Sequence, residues 1–411
     1  MLKILFVSCL LPYPSVAHGG GTDLFHLIES LSRRHEVHLV SLVDEAESAH
    51  IAEMEQCCAS VSAVIPAWTW QQKLRGAWRG FWTHPLLIGR RARSEMRTSI
   101  RQTIAKHRVD VVQFEWTETG AFLDAVTPGQ VVTVLDEVDV SYRPLEYRAG
   151  RYGSPWGRAY AGWRSRRARQ RELALCRRFD AVLTRSEHDR QVLMGQLPGA
   201  RVEVFQPWTH LAEFADIQLA DRQKGCLLFV GAMDRDENCE AVLYFYRQVF
   251  SRIQSACHQS VELWIAGAHP QPRIVDLGGD PAVKVTGYVP DLRAVYARCD
   301  VFVAPMQTPG GVFNKIVDAM AAGRPVVTSS LGNEGVAAAP GLAVRIADEP
   351  GSFADHVVAL LHNEALWRQV AGRGRDHVRR LYDWQANVAR LEALYERWVD
   401  RKRSANGGLA P

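Results

Sequence analysis

Residues 305–327 read PMQTPGGVFNKIVDAMAAGRPVV, and this stretch decides the fold. The apolar run at 301–305 predicts a strand ending at Pro305. Gly310 and Gly311 then open a helix expected over 314–321, and Pro325 starts the next strand. Strand, glycine turn, helix and strand make the βαβ unit of a parallel sheet. Glycine lets backbone approach a ligand closely, and the helix N-terminus offers N–H groups and the positive end of its dipole. With Asn314 and Lys315 in that first turn, the segment suits a diphosphate. Asp318 lies one turn beyond Asn314 on the same helical face, placed to bond ribose hydroxyls.

The alternation extends outward in both directions. Upstream, strands are expected at 226–230, 261–266 and 283–286, with helices at 238–255 and 292–299. Downstream come a strand at 325–328 and helices at 352–362 and 364–380. The same pattern runs through the first half: strands at 3–9, 36–42, 60–66, 110–114, 130–135 and 180–184, and helical stretches at 22–34, 46–59 and 186–197. Residues 205–224 show little periodicity and read as a linker. The expectation is an α/β chain with two Rossmann-like parallel-sheet domains facing across a cleft.

Open parallel sheets bind ligands beyond the carboxyl ends of their strands, so the residues following each strand are the candidates. After the first strand, Gly19-Gly20-Gly21 precedes a helix expected to start at Thr22. The glycines either admit an anion or form a turn without a ligand; they do not spell the G-x-G-x-x-G dinucleotide fingerprint. After 110–114 come Glu115 and Glu118, and after 130–135 come Asp136, Glu137 and Asp139. Such carboxylates supply a base or bind sugar hydroxyls, while a cap or turn role for Asp136 or Asp139 is the plainer alternative. After 226–230 stands Gly231-Ala232-Met233-Asp234-Arg235-Asp236-Glu237-Asn238. Its D-x-D triplet matches a pattern that holds a divalent metal in some sugar-nucleotide enzymes. Capping of the next helix explains the same acids, and no metal is expected.

Composition removes other classes. With 411 residues, 47% hydrophobic and 23% charged, the chain is neither disordered, collagen-like nor a disulfide-stapled mini-fold. No apolar run reaches the ~18 residues of a membrane-spanning helix. The apolar start resembles a signal peptide, but it lacks a small-residue cleavage site and runs into Pro12 and Pro14, so a buried strand and a cytoplasmic protein are expected. The 8 cysteines show no C-x-x-C and no Cys/His zinc spacing. The net charge of +4 hides an asymmetry: 1–205 carries 27 Lys/Arg against 22 Asp/Glu, the remainder 22 against 23. Segment 66–108 holds ten basic residues and one acid (Glu95), interleaved with Trp68, Trp70, Trp78 and Trp82. Segment 143–178 holds eleven against two (Glu146 and Glu172), with Trp156 and Trp163. These are solvated helix faces or a surface drawn to anionic lipid headgroups. Nucleic acid is not an expected partner, because no RNP, helix-turn-helix or finger pattern accompanies the charge.

On these residues the chain resembles the family 4 glycosyltransferases of the GT-B fold (glycosyl transferases group 1), nearly throughout and most strongly over 227–327. The family's G-[FG]-x-x-x-x-x-E-A-M-A-x-G-x-P-V-V segment is met from Gly311 to Val327, with DAMAAGRPVV from Asp318 onward. The opening KILFVSCLLPYP and triple glycine also fit, as do Gly287-Tyr288-Val289 followed by 292–300, and Tyr382-Asp383-Trp384. The resemblance implies an acceptor-binding domain at 1–205, a nucleotide-sugar donor-binding domain at 206–384, and a helix crossing back plus tail at 385–411. It implies transfer of a sugar from a nucleoside diphosphate sugar to a glycan acceptor; segments 66–108 and 143–178 suit a lipid-linked one at the inner membrane face, with a soluble glycoside or a protein as the alternative acceptors. Transfer is expected with retention, without metal and without any cofactor beyond the nucleotide-sugar co-substrate. Gly20, Gly21, Gly231, Arg235, Tyr288, Val289, Gly310, Gly311, Asn314, Lys315 and Asp318 fall on the donor side, and Glu115, Asp136 and Asp139 are the catalytic candidates. Gly310 replaces the first Glu of the family's E-x₇-E pair, Asp318 shortens the second, and Asp136 stands where a His is usual. Met233-Asp234-Arg235 and Asn238 fill the loop that ordinarily carries an Arg and a Lys, so phosphate binding falls on Lys315 and Arg235. A nucleotide-sugar epimerase on the same fold is the alternative enzyme, disfavoured by the basic, Trp-rich first half. An inactive transferase-like partner is the other, kept open by the missing Glu.

Overall fold

The computed structural model describes residues 1–16, 19–65, 90–151, 154–209, 211–214 and 216–407. It divides into two compact units, residues 1–208 with 384–411, and residues 209–383. The first holds a seven-stranded sheet of β1 (Lys3–Ser8), β2 (Glu36–Leu42), β3 (Ser60–Val64), β4 (Val111–Glu115), β5 (Val132–Glu137), β6 (Ala181–Thr184) and β7 (Val202–Val204). The strands pair in parallel in the order β3-β2-β1-β4-β5-β6-β7. Alternate residues of β1 serve opposite faces. Ile4 and Phe6 pack with Leu24, Leu27 and Ile28 of the helix Gly19–Ser32. Leu5 and Val7 pack with Met96, Ile100 and Ile104 of the helix Arg90–His107. Both faces are covered, which is why these strands read as unbroken apolar runs.

The second unit repeats the plan with six parallel strands, β8 (Cys226–Val230), β9 (Glu262–Ala266), β10 (Val283–Gly287), β11 (Val301–Ala304), β12 (Val326–Thr328) and β13 (Arg345–Ile346). Their order is β10-β9-β8-β11-β12-β13. In each sheet the chain reverses direction across the sheet beside its first strand, between β1 and β4 and between β8 and β11. Those are the switch points at which strand ends leave a crevice. The closing helix Trp384–Gly407 belongs to the first unit: Leu391, Leu394, Tyr395 and Trp398 join the Ile4–Phe6 core, and Trp384 Nε1 donates to Ser30 Oγ at 2.9 Å.

Several local expectations are corrected. The triple glycine is the first turn of the helix Gly19–Ser32, not the loop before it. A Cβ at Gly21 would meet Leu10 Cδ1 and Val16 Cγ1 at 3.0 Å, so close packing within a helix accounts for that glycine. The stretch 205–224 is largely divided between the two cores rather than free: Phe205 is buried in the first unit, Phe214 and Ile217 in the second. Anchors that far apart leave no period to read. The helix expected at 238–255 runs Asp236–Tyr244, continues as a π-helical segment Phe245–Phe250 and ends with Ser251–Ala256. The stretch 46–59 is a 3₁₀ turn, Glu45–His50, followed by a short helix, Ile51–Glu55. Strands β7 and β13, of 3 and 2 residues, are too short to carry an alternation signal. Trp68, Trp70, Trp78 and Trp82 lie outside the described residues. Among the described residues, no helix is long and apolar enough to cross a membrane.

Candidate active site

The crevice of the second sheet is built around Lys315. The helix Asn314–Ala321 starts beyond the carboxyl end of β11, with its residues from Ile316 onward buried. Its first turn is tied down where the buried Tyr296 donates its hydroxyl to the Lys315 carbonyl at 3.2 Å. The Lys315 ammonium donates to Asn238 Oδ1 and lies 4.5 Å from the ring centroid of Phe229, a β8 residue. Asn238 in turn donates from Nδ2 to the Ala232 carbonyl at 2.8 Å, which aims its oxygen at the lysine. Gly231, just past β8, closes this arrangement: a Cβ there would sit 2.8 Å from both Lys315 Nζ and Asn238 Nδ2. Desolvation lowers the Lys315 pKa from 10.5 to about 7, with Glu237 opposing and Arg235 adding to the drop. An amine poised near neutrality becomes fully charged when an anion arrives, and the helix dipole acts on that anion with the same sign.

The other donor-side candidates spread around this centre. A Cβ at Gly310 would lie 2.9 Å from the Phe313 ring, so a side chain there requires that ring to move. Gly311 is buried under Gly335, where a Cβ would come within 2.2 Å of the Gly311 carbonyl oxygen. Asp318 is buried one turn below Asn314, and after burial itself it is the next cause raising the Tyr296 phenol pKa. Tyr288 is 73% exposed and Val289 half-buried, at a turn that Gly287 makes with φ of 69°. Arg235 is exposed as the residue before the helix Asp236–Tyr244. In the D-x-D triplet, Asp236 is engaged by Arg273 at 2.8 Å.

The crevice of the first sheet carries a different chemistry. Glu115 closes β4 and stands in register with Asp136 of β5. Arg185, immediately after β6, places Nη2 2.9 Å from Asp136 Oδ2. All three are buried, together with Asp23 from the helix Gly19–Ser32, whose charge also favours the Arg185 cation. Burial and the neighbouring Asp136 raise the Glu115 pKa from 4.5 to about 8, against the opposing Arg185 and Gln113. Burial raises Asp136 too, with Arg185 pulling the other way. Burial and Asp136 thus favour the protonated form of Glu115, while the Arg185 guanidinium sits against the Asp136 carboxylate. Gln113 Nε2 donates to Glu115 Oε1 at 2.7 Å, and Tyr395 of the closing helix donates its hydroxyl to Gln113 Oε1. Trp116 turns the chain sharply off β4 with φ of 64°, a left-handed conformation costly for a bulky residue. Glu137 is buried separately, accepting from Thr117 Oγ1 at 2.8 Å, and burial followed by Glu172 raises its pKa. Asp139 is exposed and Glu118 half-buried. Gly20 and Gly21 lie in the first turn of the helix that supplies Asp23.

The structure thus joins Glu115 and Asp136 in one cluster, and Gly231, Lys315 and the first turn from Asn314 in another. Sequence reasoning missed Arg185, Asp23 and Tyr395. Arg185 directly follows the strand expected at 180–184, so the strand-end rule reaches it. Nothing local marks Asp23 or Tyr395, which enter from a helix face and from the far end of the chain.

Comparison with known proteins bears on the same elements. Residues 224–363 match the family model described as Glycosyl transferases group 1. A Klebsiella pneumoniae protein described as an uncharacterized protein in the cps region is 23% identical over 402 residues, covering 93% of this chain and 97% of its own length. A phosphatidyl-myo-inositol mannosyltransferase of Mycolicibacterium smegmatis is 29% identical over 196 residues, 45% of this chain and 49% of its own. Among solved structures, sucrose-phosphate synthase from Thermosynechococcus elongatus superposes with a TM-score of 0.69 at 17% identity, covering 96% of this chain and 98% of that one. Anabaena HepE in complex with UDP and glucose gives 0.65 at 14% identity, covering 96% and 100%.

Proposed function

Starting from a glycosyltransferase of the GT-B fold, with residues 224–363 belonging to the glycosyl transferases group 1 family, we propose that this chain transfers a sugar from a nucleoside diphosphate sugar to a lipid-linked glycan. The observation that carries the reading is Lys315, held between Phe229, Asn238 and Gly231 in the first turn of a helix at the β8/β11 switch point. The leaving group is a diphosphate, and its developing charge is met by the Lys315 cation and the helix N-terminus. Asn314 orients the phosphates, Asp318 the ribose, and the backbone at Tyr288 and Val289 the base. No divalent metal is needed, and the pairing of Asp236 with Arg273 supports this because it occupies the D-x-D carboxylate. Transfer proceeds with retention, the departing phosphate assisting.

On the acceptor side, burial assigns the roles. Asp136 and Glu115 act as positioning residues that fix Arg185 and the strand ends, while the exposed Asp139 contacts the acceptor. A lipid-linked glycan is favoured by the helix Pro155–Cys176, which exposes Trp156 (87%) and Trp163 (38%) among Arg158, Arg166, Arg167 and Arg171. Arg supplies charge for anionic headgroups, and Trp favours the interfacial layer. The relative from a cps region and those named for phosphatidyl-myo-inositol support a polysaccharide made on a lipid. Sedimentation with anionic vesicles, lost in an Arg166→Glu/Arg167→Glu double variant and absent with zwitterionic vesicles, is the expected outcome. Equal recovery with both vesicle types rejects the membrane acceptor.

Donor binding is tested by thermal shift with UDP, GDP, dTDP and CMP in the presence of EDTA. A nucleotide at ~100 times its Kd adds ~2.7 kcal/mol. One nucleotide should raise Tm in the wild type, and Lys315→Met should weaken it roughly 10- to 100-fold, the worth of a charge-assisted contact. No shift with any nucleotide favours an inactive partner. A shift that appears only when Mg²⁺ replaces EDTA removes the metal-free mechanism.

A further inference from the structure

A cluster at the opposite edge of the first sheet has no part in the chemistry above. We propose that Glu36, His38 and His107 bind a divalent transition metal ion of the zinc, cobalt and nickel class at the amino ends of β1 and β2. Glu36 and His38 are two apart on β2 and therefore project to the same side of the sheet, and His107 closes the helix Arg90–His107 that packs on that sheet. One donor atom from each of the three residues lies within 4.8 Å of the others. His38 Nε2 is 3.2 Å from Glu36 Oε1, and His107 Nδ1 is 3.7 Å from the same oxygen. The edge of a tetrahedron with metal–ligand bonds of ~2.0–2.1 Å is about 3.3–3.4 Å, so these separations bracket what a bound zinc requires.

The surroundings fit ligation in three ways. His38 is fully buried, and its Nδ1 is satisfied by Ser60 Oγ at 2.8 Å, which leaves Nε2 as the nitrogen facing the cluster. That Nε2 is buried without a hydrogen bond of good geometry among the described residues. A ring nitrogen anchored by a polar neighbour while the other carries the metal is the usual arrangement of a ligating histidine. The two imidazole rings stand 4.1 Å apart at 37°, tilted rather than parallel, with one ring nitrogen of each within 4.8 Å of the other. Lys3 lies 3.2 Å from Glu36 Oε2, the second carboxylate oxygen, and leaves Oε1 to the metal while balancing the site's charge. With no cysteine in the set, imidazole and carboxylate donors select zinc, cobalt or nickel over the soft monovalent metals. Three protein ligands leave a fourth position for water, and the bound ion clasps the end of the helix to the edge of β2.

The experiment uses the full chain, stripped with EDTA, dialysed, and titrated with Co²⁺ and then Zn²⁺. Expected are one Co²⁺ per chain with the visible absorption of a four-coordinate centre, its displacement by Zn²⁺, and a rise in Tm with Zn²⁺. His107→Ala and Glu36→Gln, both at half-buried positions, should weaken uptake by at least ~10-fold and abolish the Zn²⁺-induced rise, with metal-free melting unchanged. Failure of the wild type to take up Co²⁺ overturns the assignment. So does a titration unaltered in both variants, which would place the ion elsewhere, on thiols such as Cys57.

Discussion

At the β1/β4 crevice, Asp23, Glu115 and Asp136 are packed around Arg185 beneath the strand ends, whereas at the β8/β11 crevice a single lysine leans on an aromatic ring and an amide. The two sheets share a topology and a switch point, yet one crevice is an internally compensated charge cluster and the other a cation held for an incoming anion. What differs is the chemistry at the strand ends: a carboxylate in the last position of β4 and in the last two of β5, a glycine directly after β8 and a glycine pair in the loop leaving β11. The topology selects the place and those residues select the chemistry. The first crevice is therefore a matter of folding as much as of function, while the second contributes chiefly to binding.

That division is most easily broken at Asp136. Removing its carboxylate leaves the buried Arg185 without its closest partner, and breaking a buried pair from one side costs ~3 kcal/mol or more. Asp136→Ala should lower Tm by roughly 10 °C. Asp136→Ala combined with Arg185→Met should recover more than half of that loss, because no unpaired charge remains. If thermal unfolding shows the single variant within ~2 °C of the wild type, the cluster is not what holds the strand ends, and the two crevices are more alike than their burial suggests.

The difference also governs what the sequence reveals. The Lys315 crevice is written almost contiguously: Gly310, Gly311, Asn314, Lys315 and Asp318 fall within one strand–turn–helix segment, and Gly231 and Asn238 within another. Helical periodicity and the strand-end rule place them without long-range information. The Arg185 cluster draws single residues from β4, β5, the turn after β6 and the face of a distant helix, with Tyr395 adding a contact from the closing helix. Glu115 and Asp136 are legible as acids at strand ends, but their pairing is set by sheet order, and that order is fixed by packing across both faces. The Glu36, His38 and His107 cluster is hidden for the same reason. A strand pair and a helix end, some seventy residues apart, resemble no metal-ligand spacing until β2 and that helix are packed together.

The finest distinction between the crevices is the sign of their pH dependence. Glu115 is raised from 4.5 to about 8 in the folded chain, by burial first and Asp136 second. Below about pH 4.5 the proton is held in both folded and unfolded states and costs nothing. As pH rises towards 8 the unfolded chain releases it while the folded one does not, and stability falls. Glu115→Gln keeps the contact with Gln113 but does not titrate, so its Tm advantage over the wild type should widen by several °C from pH 5 to pH 8. Lys315 is lowered from 10.5 to about 7, chiefly by desolvation, so its unfolded form gains a proton at a pH where the folded form remains neutral. The Tm advantage of Lys315→Met should therefore widen in the opposite direction, as pH falls from 10 towards 7, and level off below. Melting both variants beside the wild type across this range gives two slopes. Opposite signs keep the compensated cluster and the anion-receiving cation as separate devices, whereas a flat profile for Glu115→Gln would mean that Arg185 holds both carboxylates ionised.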